Sequence, residues 1–582
     1  MPSILVGIPA SPGIVVGPAH LLRWEVPEVP ERSIGTREVP AEIARVHDAF
    51  ARSIERLQHV RGRALEHAGP AEAAIFDVQI SIIQDADLAH RVEASIRRGF
   101  SAEGAFDLVM FDLRDHFGRS PHAMMRERVD DLCDVQIRVL SILLGLPDHD
   151  PVDLPKGANA ILITHDLTPS LTVQLDRECI VGIATDAGTR TSHVAILARS
   201  LGLPAVVGLL SATTRIQSGD RVILDGAAGT LMVRPNAAEL AAAAQRSHRE
   251  QQTRDELALM VDKESVTADG VRIVLRANVD LPDEAALAAT SGAEGVGLMR
   301  TEFLVVGRAT MPDENEQYEA YAKVIKAFDG KPVIIRTFDV GGDKLPVGGY
   351  PHEPNPFLGW RAIRMCLDEP ELFKTQLRAL LRAAVHGDVR IMLPLIITVD
   401  EVRQARFLLE ESARDLVARG TPHRADVPLG VMIETPAACI TADALAPEVA
   451  FFSIGTNDLV QYTLAVDRGN ASLASRFTPL HPAVLRLIHR TQLVGAASGI
   501  DVSVCGEMAS EPLMAYALIG LGIRQLSVSA MSVPLMKRIV RGIDTTRAAE
   551  AAVAALEAGT AHAAEALLRA GLDAELPGLL GG

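Results

Sequence analysis

Apolar positions change their spacing several times along this chain, and each change predicts a different architecture. Residues 4–8 and 14–16 are short apolar runs separated by Ser11-Pro12-Gly13, a pattern of strands joined by a turn. From residue 38 to residue 145 the apolar positions recur at steps of three and four instead. Ile43, Val46, Phe50, Ile54, Leu57 and Val60 share one helix face, and Val129, Leu132, Cys133, Ile137, Leu140 and Leu144 repeat the spacing. An all-α bundle is predicted, with these stripes in its core. The stretch 147–155, which begins and ends in proline, breaks it. Short strands return at 160–163, 180–184, 205–207 and 222–224, alternating with a helix-like stretch over 192–201, and so predict a small α/β domain. The strands of residues 1–20 are expected to join that domain, which makes the bundle an insertion. Residues 236–260 contain neither Gly nor Pro and predict a connecting helix.

A third rhythm runs over 265–545. Apolar runs at 273–277, 295–299, 333–335, 391–395, 431–433, 451–454, 502–504 and 525–528 are each followed by a helical stretch. Eight βα units predict a closed (β/α)₈ barrel, with helices covering a parallel sheet. The Ala-rich stretch 545–572 reads as helical. The expected organisation is therefore multidomain α/β. Residues 1–20 with 146–235 form one α/β domain, 21–145 an inserted helical domain and 236–260 a linker helix. Residues 261–545 form the barrel and 546–582 a C-terminal helical tail.

Composition narrows the function classes. At 582 residues and about 150 residues per domain, three or four domains are expected. With 57 basic against 74 acidic residues the formal net charge is −17, which disfavours nucleic acid as the main partner. No apolar run reaches the roughly 18 residues of a membrane span, and the opening MPSILVGIPASPG lacks the basic and long apolar parts of a signal peptide. The five cysteines (133, 179, 366, 439 and 505) are scattered, a reduced pattern with neither a disulfide framework nor a zinc signature. A cytoplasmic protein without membrane insertion is expected.

In such a barrel the reactive face lies at the C-terminal ends of the strands. Arg300 follows one predicted strand; Arg336, then Asp339 and Gly341-Gly342-Asp343-Lys344, follow the next. Glu434 follows a third, Asn457 and Asp458 a fourth with Arg468 ten residues on, and Cys505 and Glu507 a fifth. Arg300, Arg336 and Arg468 carry planar forks of donors suited to phosphate and carboxylate oxygens. Glu434 and Asp458, on neighbouring strands, are hard oxygen ligands of the number Mg²⁺ uses beside water and substrate phosphate. Ion pairs closing the barrel top are the plainer reading of any single pair. Cys505 reads either as an inert buried thiol or as an acid that protonates carbon.

The segment Asp186–Arg199 places His193 beside a loop of small residues, with Thr191 or Ser192 able to cap the helix that follows. Free backbone N–H groups and the positive end of a helix dipole suit a phosphate there, and neutral imidazole is a competent nucleophile near neutral pH. On spacing alone, a surface or core histidine is the better reading.

RTSHVAILARSLGLPAVVG (190–208) resembles the phosphohistidine motif of the enzyme I family, the phosphoenolpyruvate–protein phosphotransferases of the bacterial sugar phosphotransferase system. GIPASPG (7–13), DLTPS (166–170), LMRTEFL (298–304), IIRTFDVGGDK (334–344), NPFLGWRAIR (355–364), VMIETPAA (431–438), FFSIGTNDLVQYTLAVDRGN (451–470) and VCGEMA (504–509) resemble further family blocks, in the family's order. The resemblance implies that His193 is phosphorylated through Nε2. Arg300, Arg336 and Arg468 would bind phosphoenolpyruvate, with Asn457 and Asp458 on its phosphate side. Glu434 and Asp458 would hold Mg²⁺, and Cys505 would protonate enolpyruvate to pyruvate. It further implies a swivelling phosphohistidine domain, docking of the phosphocarrier protein HPr on the helical bundle, and a homodimer through the barrel. One departure stands out: Gly188-Thr189 precedes the histidine motif where many relatives have Gly-Gly.

Three other readings compete. A nitrogen-branch regulatory enzyme I is expected to carry an extra N-terminal sensor domain, which is not seen before Gly7. A pyruvate,phosphate dikinase or phosphoenolpyruvate synthase needs an ATP-binding domain, for which neither room nor a G-x-x-x-x-G-K-[ST] loop is found. A catalytically silent scaffold is disfavoured by the presence of His193, Glu434, Asp458 and Cys505.

Overall fold

The computed structural model describes residues 3–579 except 23, 25, 68–69, 120–122, 147–156, 168–170, 172–178, 190–191, 193, 196–197, 199–201, 306–307, 309, 342–352, 354 and 468–469. The expected break at 147–155 thus lies outside the described residues, as does part of the stretch 192–201, of which Val194, Ala195 and Ala198 are helical and buried. Two compact units are formed, Met1–Thr253 and Arg254–Gly582.

The first unit is built on eight strands: β1 (Ser3–Val6), β2 (Ile8–Ser11), β3 (Ile14–Leu22), β4 (Ala160–Thr164), β5 (Ile180–Thr185), β6 (Ala205–Val207), β7 (Arg221–Asp225) and β8 (Thr230–Val233). Their order is β1-β8-β7-β3-β4-β5-β6-β2, with β3 to β6 parallel. The apolar run 4–8 is not one strand. It breaks at Gly7, where a Cβ would lie 2.6 Å from the Val207 carbonyl oxygen, and its halves pair at opposite edges of the sheet. The strand β8 has no counterpart among the predicted strands.

Between β3 and β4 the chain leaves the sheet for five helices, Val39–His67, Pro70–Ile83, Ala86–Arg97, Ala102–Gly118 and Ala123–Leu143. The helical domain is thus an insertion. Its core contains Val46, Phe50, Leu57 and Val60 of the first predicted stripe and Leu132 and Leu140 of the second, joined by Phe76, Phe106 and Met110. Asp85 and Ser101 cap the third and fourth helices by accepting from Asp87 N (2.9 Å) and Gly104 N (3.2 Å). The buried Asp134 carboxylate accepts from Trp24 Nε1 at 2.6 Å and Gln79 Nε2 at 3.1 Å, tying the bundle to the chain leaving β3. A helix over Ala237–Ala258 then runs across the boundary between the units.

The second unit is a closed parallel barrel of β9 (Val274–Val279), β10 (Val296–Met299), β11 (Val333–Arg336), β12 (Val389–Leu393), β13 (Leu429–Ile433), β14 (Phe451–Ile454), β15 (Asp501–Val504) and β16 (Gln525–Ser529). Inward positions include Leu298, Ile334, Met392, Met432 and Phe451, while alternate residues such as Met299, Ile335, Ile391 and Val431 pack under the surrounding helices. β12 ends two residues before the predicted limit, because Leu395 turns into the left-handed region (φ 57°). The Ala-rich tail forms two helices, Thr545–Glu557 and Ala561–Glu575, separated where Thr560 caps the second. Ala548, Ala552, Leu568 and Leu572 belong to the barrel's own core. Gly520 permits this packing, since a Cβ there would lie 2.2 Å from the Ala548 carbonyl oxygen. Among the described residues no helix is long and apolar enough to cross a membrane.

Candidate active site

All eight strands point the same way, so their C-terminal ends share one mouth. A cavity of about 760 Å³ opens there, and Arg300, Arg336, Glu434, Asn457, Asp458 and Cys505 all line it. Six of the eight residues given a catalytic, substrate-binding or metal-holding role are therefore brought together, and Asp339, Gly341 and Glu507 line the cavity with them. The other two, Arg468 and His193, lie outside the described residues.

Arg336 ends β11 and is buried. One arm of its guanidinium donates to Glu302 Oε1, and the other lies 2.9 Å from Asp339 Oδ2. Burial alone would lower its pKa; the charges of Glu302, Asp339, Glu434 and Asp458 outweigh that and raise it. Arg361, also buried, donates through Nε to Asp339 Oδ1 at 3.0 Å and through Nη2 to Asp458 Oδ2 at 3.4 Å. Its pKa is likewise raised, Asp339 and Asp458 prevailing over burial. One carboxylate, Asp339, thus fastens two guanidiniums. Arg300 sits nearer the rim, paired to Asp280 at 2.7 Å.

Glu434 follows β13 directly, and its Oε1 accepts from the Leu395 backbone N–H at 2.7 Å. That bond is what the left-handed turn at Leu395 supplies. A Cβ on Gly455 would lie 2.8 Å from Glu434 Oε2, so only glycine fits beside the carboxylate. Burial first, then the charges of Asp458 and Asp339, push the Glu434 carboxyl well above its ordinary range, and Arg336 and Arg361 offset this only in part. Asp458 itself lies in the first turn of a helix over Thr456–Leu464 that follows β14. Its neighbour Asn457 donates to Glu507 Oε1 at 3.1 Å.

The charge balance of the wall decides what it can accept. Five carboxylates (Glu302, Asp339, Glu434, Asp458 and Glu507) face three guanidiniums among the described lining residues. Two of them, Glu434 and Asp458, are buried within mutual repulsion. A divalent cation relieves that repulsion, and two carboxylates leave it room for water and phosphate oxygens. The donor set therefore fits Mg²⁺. No group of three or more His, Cys, Asp or Glu side chains forms a cation cage among the described residues.

Cys505 projects into the barrel just past β15, and its thiol donates to the Ile454 carbonyl oxygen at 3.7 Å. Burial raises its pKa, so sulfur holds its proton at neutral pH. A proton-bearing thiol in the cavity wall is compatible with both readings of Cys505, inert or acid.

In the first unit, the loop that leads to His193 is fastened on both sides. The Asp186 carboxylate accepts from the backbone N–H of Ala212 at 2.5 Å and of Thr213 at 3.1 Å. Gly188 has φ +109°, and a Cβ there would lie 3.2 Å from Val207 Cβ. Thr189 accepts through its carbonyl from Ser192 N (3.1 Å) and Oγ (2.9 Å). Both bonds use the carbonyl of residue 189, which glycine and threonine alike supply.

The strand-end search missed Glu302, Arg361 and Tyr462. Arg361 lies in a loop before a helix, in the block NPFLGWRAIR, where only resemblance signals it. Glu302 sits two residues beyond a strand-end arginine, at a place where ion pairing is invisible without coordinates. Tyr462 donates to the Phe357 carbonyl oxygen at 2.5 Å, holding the loop whose Phe357 ring stacks on Arg361 with 5.7 Å from Cζ to the ring centre.

A barrel whose mouth gathers arginines around a buried acid pair, joined to a separate α/β unit with inserted helices, defines a multidomain enzyme of the phosphoryl-handling class. Family models match three successive regions: PEP-utilising enzyme, N-terminal (residues 6–128), mobile domain (156–229) and PEP-binding domain (254–545). A phosphoenolpyruvate-protein phosphotransferase of Geobacillus stearothermophilus is 42% identical over 96% of this chain and 96% of its own length. Proteins of the same name from Staphylococcus epidermidis (40%, covering 96% of this chain and 98% of theirs) and Enterococcus faecalis (39%, 96% and 97%) are similar over the same extent. The chain belongs to the PEP-utilising enzyme family, among its phosphoenolpyruvate–protein phosphotransferases.

Proposed function

We propose that this chain transfers the phosphoryl group of phosphoenolpyruvate to Nε2 of His193 and then to a histidine of the carrier protein HPr, the first step of a sugar phosphotransferase system. The observation that carries this reading is the convergence of Arg300, Arg336, Arg361, Glu434 and Asp458 on one cavity with a protonated Cys505 in its wall. Arg336 and Arg361, held charged by their carboxylates, bind the phosphate and carboxylate oxygens of the substrate. Arg300 binds beside them; resemblance gives Arg468, which lies outside the described residues, the same role and puts Asn457 and Asp458 on the phosphate side. Mg²⁺ held by Glu434 and Asp458 would neutralise charge on the phosphoryl oxygens.

In the first step the bond from phosphorus to the enol oxygen breaks as a bond from Nε2 of His193 to phosphorus forms. The enolate left behind takes a proton at carbon from the Cys505 thiol and becomes pyruvate, and water restores the thiol. The second step exchanges the His193 nitrogen for a carrier histidine nitrogen at phosphorus. The family-model description of residues 156–229 as a mobile domain supports a histidine that travels between substrate and carrier. HPr docking on the inserted helices, a homodimer through the barrel and a cytoplasmic location belong to the same reading.

Incubation with labelled phosphoenolpyruvate and Mg²⁺ tests it. An acid-labile label on the peptide containing residue 193, absent from His193→Ala, is expected. An unlabelled wild-type chain, or label persisting in the variant, overturns it.

A further inference from the structure

Behind the mouth of the barrel lies a chain of buried polar side chains that the reaction itself does not use. Gln317 and Tyr321 belong to the helix Glu314–Ala327, and Gln376 to the helix Pro370–Ala383; all three are at most 1% exposed. Gln376 Oε1 accepts from the Phe338 backbone N–H at 3.0 Å, and Gln376 Nε2 donates to the Tyr321 hydroxyl oxygen at 3.1 Å. The Tyr321 hydroxyl donates to Gln317 Oε1 at 3.2 Å, and Gln317 Nε2 donates to the Pro312 carbonyl oxygen at 3.1 Å.

Both ends dictate the direction of every bond. A backbone N–H can only donate, so Gln376 must turn its oxygen to Phe338. A carbonyl can only accept, so Gln317 must turn its amide nitrogen to Pro312. The hydroxyl between them is left one orientation. Burial raises the Tyr321 pKa, so the phenol keeps the proton on which this chain depends. Buried polar groups carry a large desolvation cost when unpaired and, fully paired, define a unique arrangement.

We propose that Tyr321 and Gln376 are positioning residues for the active site, their hydrogen-bond chain fixing the β11 loop so that Asp339 holds Arg336 and Arg361 in the cavity wall. Phe338 is the residue next to Asp339, and its amide links the hydrogen-bond chain to the loop. Its amide fixes the backbone from which the Asp339 carboxylate reaches both guanidiniums, at 2.9 Å from Arg336 Nη1 and 3.0 Å from Arg361 Nε. The helices Glu314–Ala327 and Pro370–Ala383 thereby set the geometry of two arginines that neither helix carries. This role in substrate binding rests on the functional reading above; the anchoring of the loop does not.

Tyr321→Phe keeps the ring and removes the hydroxyl, so that Gln317 and Gln376 each lose a partner. The affinity of the full chain for phosphoenolpyruvate with Mg²⁺, measured by calorimetry, is expected to weaken about three- to tenfold, and deuterium exchange at the Phe338 amide to accelerate by a similar factor, as follows from breaking a buried bond. Tyr516→Phe is the comparison. Tyr516 is equally buried, but its hydroxyl donates to Glu575 at 2.8 Å in the C-terminal helices, so Tm should fall with affinity and Phe338 exchange unchanged. A Tyr321→Phe chain that loses Tm as Tyr516→Phe does, while keeping wild-type affinity and Phe338 exchange, overturns the proposal. A wild-type chain that does not bind phosphoenolpyruvate overturns the functional reading instead, and the exchange rate then decides the anchoring alone.

Discussion

At the mouth of the barrel Arg336 and Arg361 are buried among carboxylates, whereas towards the opposite end Arg276 of β9 is buried, at 8% exposure, with no hydrogen bond or ion pair among the described residues. The environments act in opposite directions. Carboxylates raise the pKa of the first two against the pull of burial. At Arg276, burial and then the charge of Arg390 lower it, and Asp501, Asp388 and Glu294 offset this only in part. Both ends are polar inside an apolar shell, yet only one holds its guanidiniums at fixed angles. A bidentate donor fork must be aimed as well as charged to bind an anion, and the aiming comes from Glu302 and Asp339.

The sharpest test replaces arginines at both ends. Arg336→Met is expected to reduce phosphorylation of the histidine about 10²- to 10³-fold, as loss of a positioned donor to developing charge does. Comparable losses from Arg276→Met would erase the distinction between the ends.

Next in size, Cys505→Ala should lower pyruvate formation about 10²-fold, the usual worth of a general acid, while leaving far more of the phosphoryl exchange. Equal losses in both assays would remove the acid role and leave Cys505 as packing.

A smaller effect concerns stability. Glu434 has its folded-state pKa raised above the ordinary 4.5, so folding takes up a proton between those two values. The metal-free protein should therefore lose stability as pH rises through that window. Glu434→Gln removes this dependence, and its Tm should exceed that of the wild type by more at pH 8 than at pH 4, although its turnover collapses. Mg²⁺ should stabilise the wild type and not the variant. A Tm difference independent of pH would contradict the raised pKa that burial and the neighbouring Asp458 give Glu434.

The smallest expected change is at the far end. Arg276→Met should leave turnover within about twofold and Tm unchanged or higher, since replacing a buried charge by an apolar chain of similar volume is often neutral or stabilising. A clear drop in Tm would show that Arg276 is satisfied by groups beyond the described residues.

Much of this organisation is legible in local spacing. Periods of two and of three to four residues, broken by Gly and Pro, predict eight βα units, the helical insertion and the connecting helix, because strand and helix faces depend on residues a few positions apart. The strand-end rule then selects Arg300, Arg336, Glu434, Asp458 and Cys505, because a parallel barrel brings all its C-terminal ends to one mouth. Only the tertiary structure decided that residues 4–8 split to opposite edges of a sheet, and that Leu395 turns back to bond Glu434. It alone paired Arg336 with Glu302 and Arg361 with Asp458, 34 and 97 residues apart along the chain. Periodicity is a property of neighbours in sequence, whereas the charge a side chain keeps and the direction it points are set by neighbours in space.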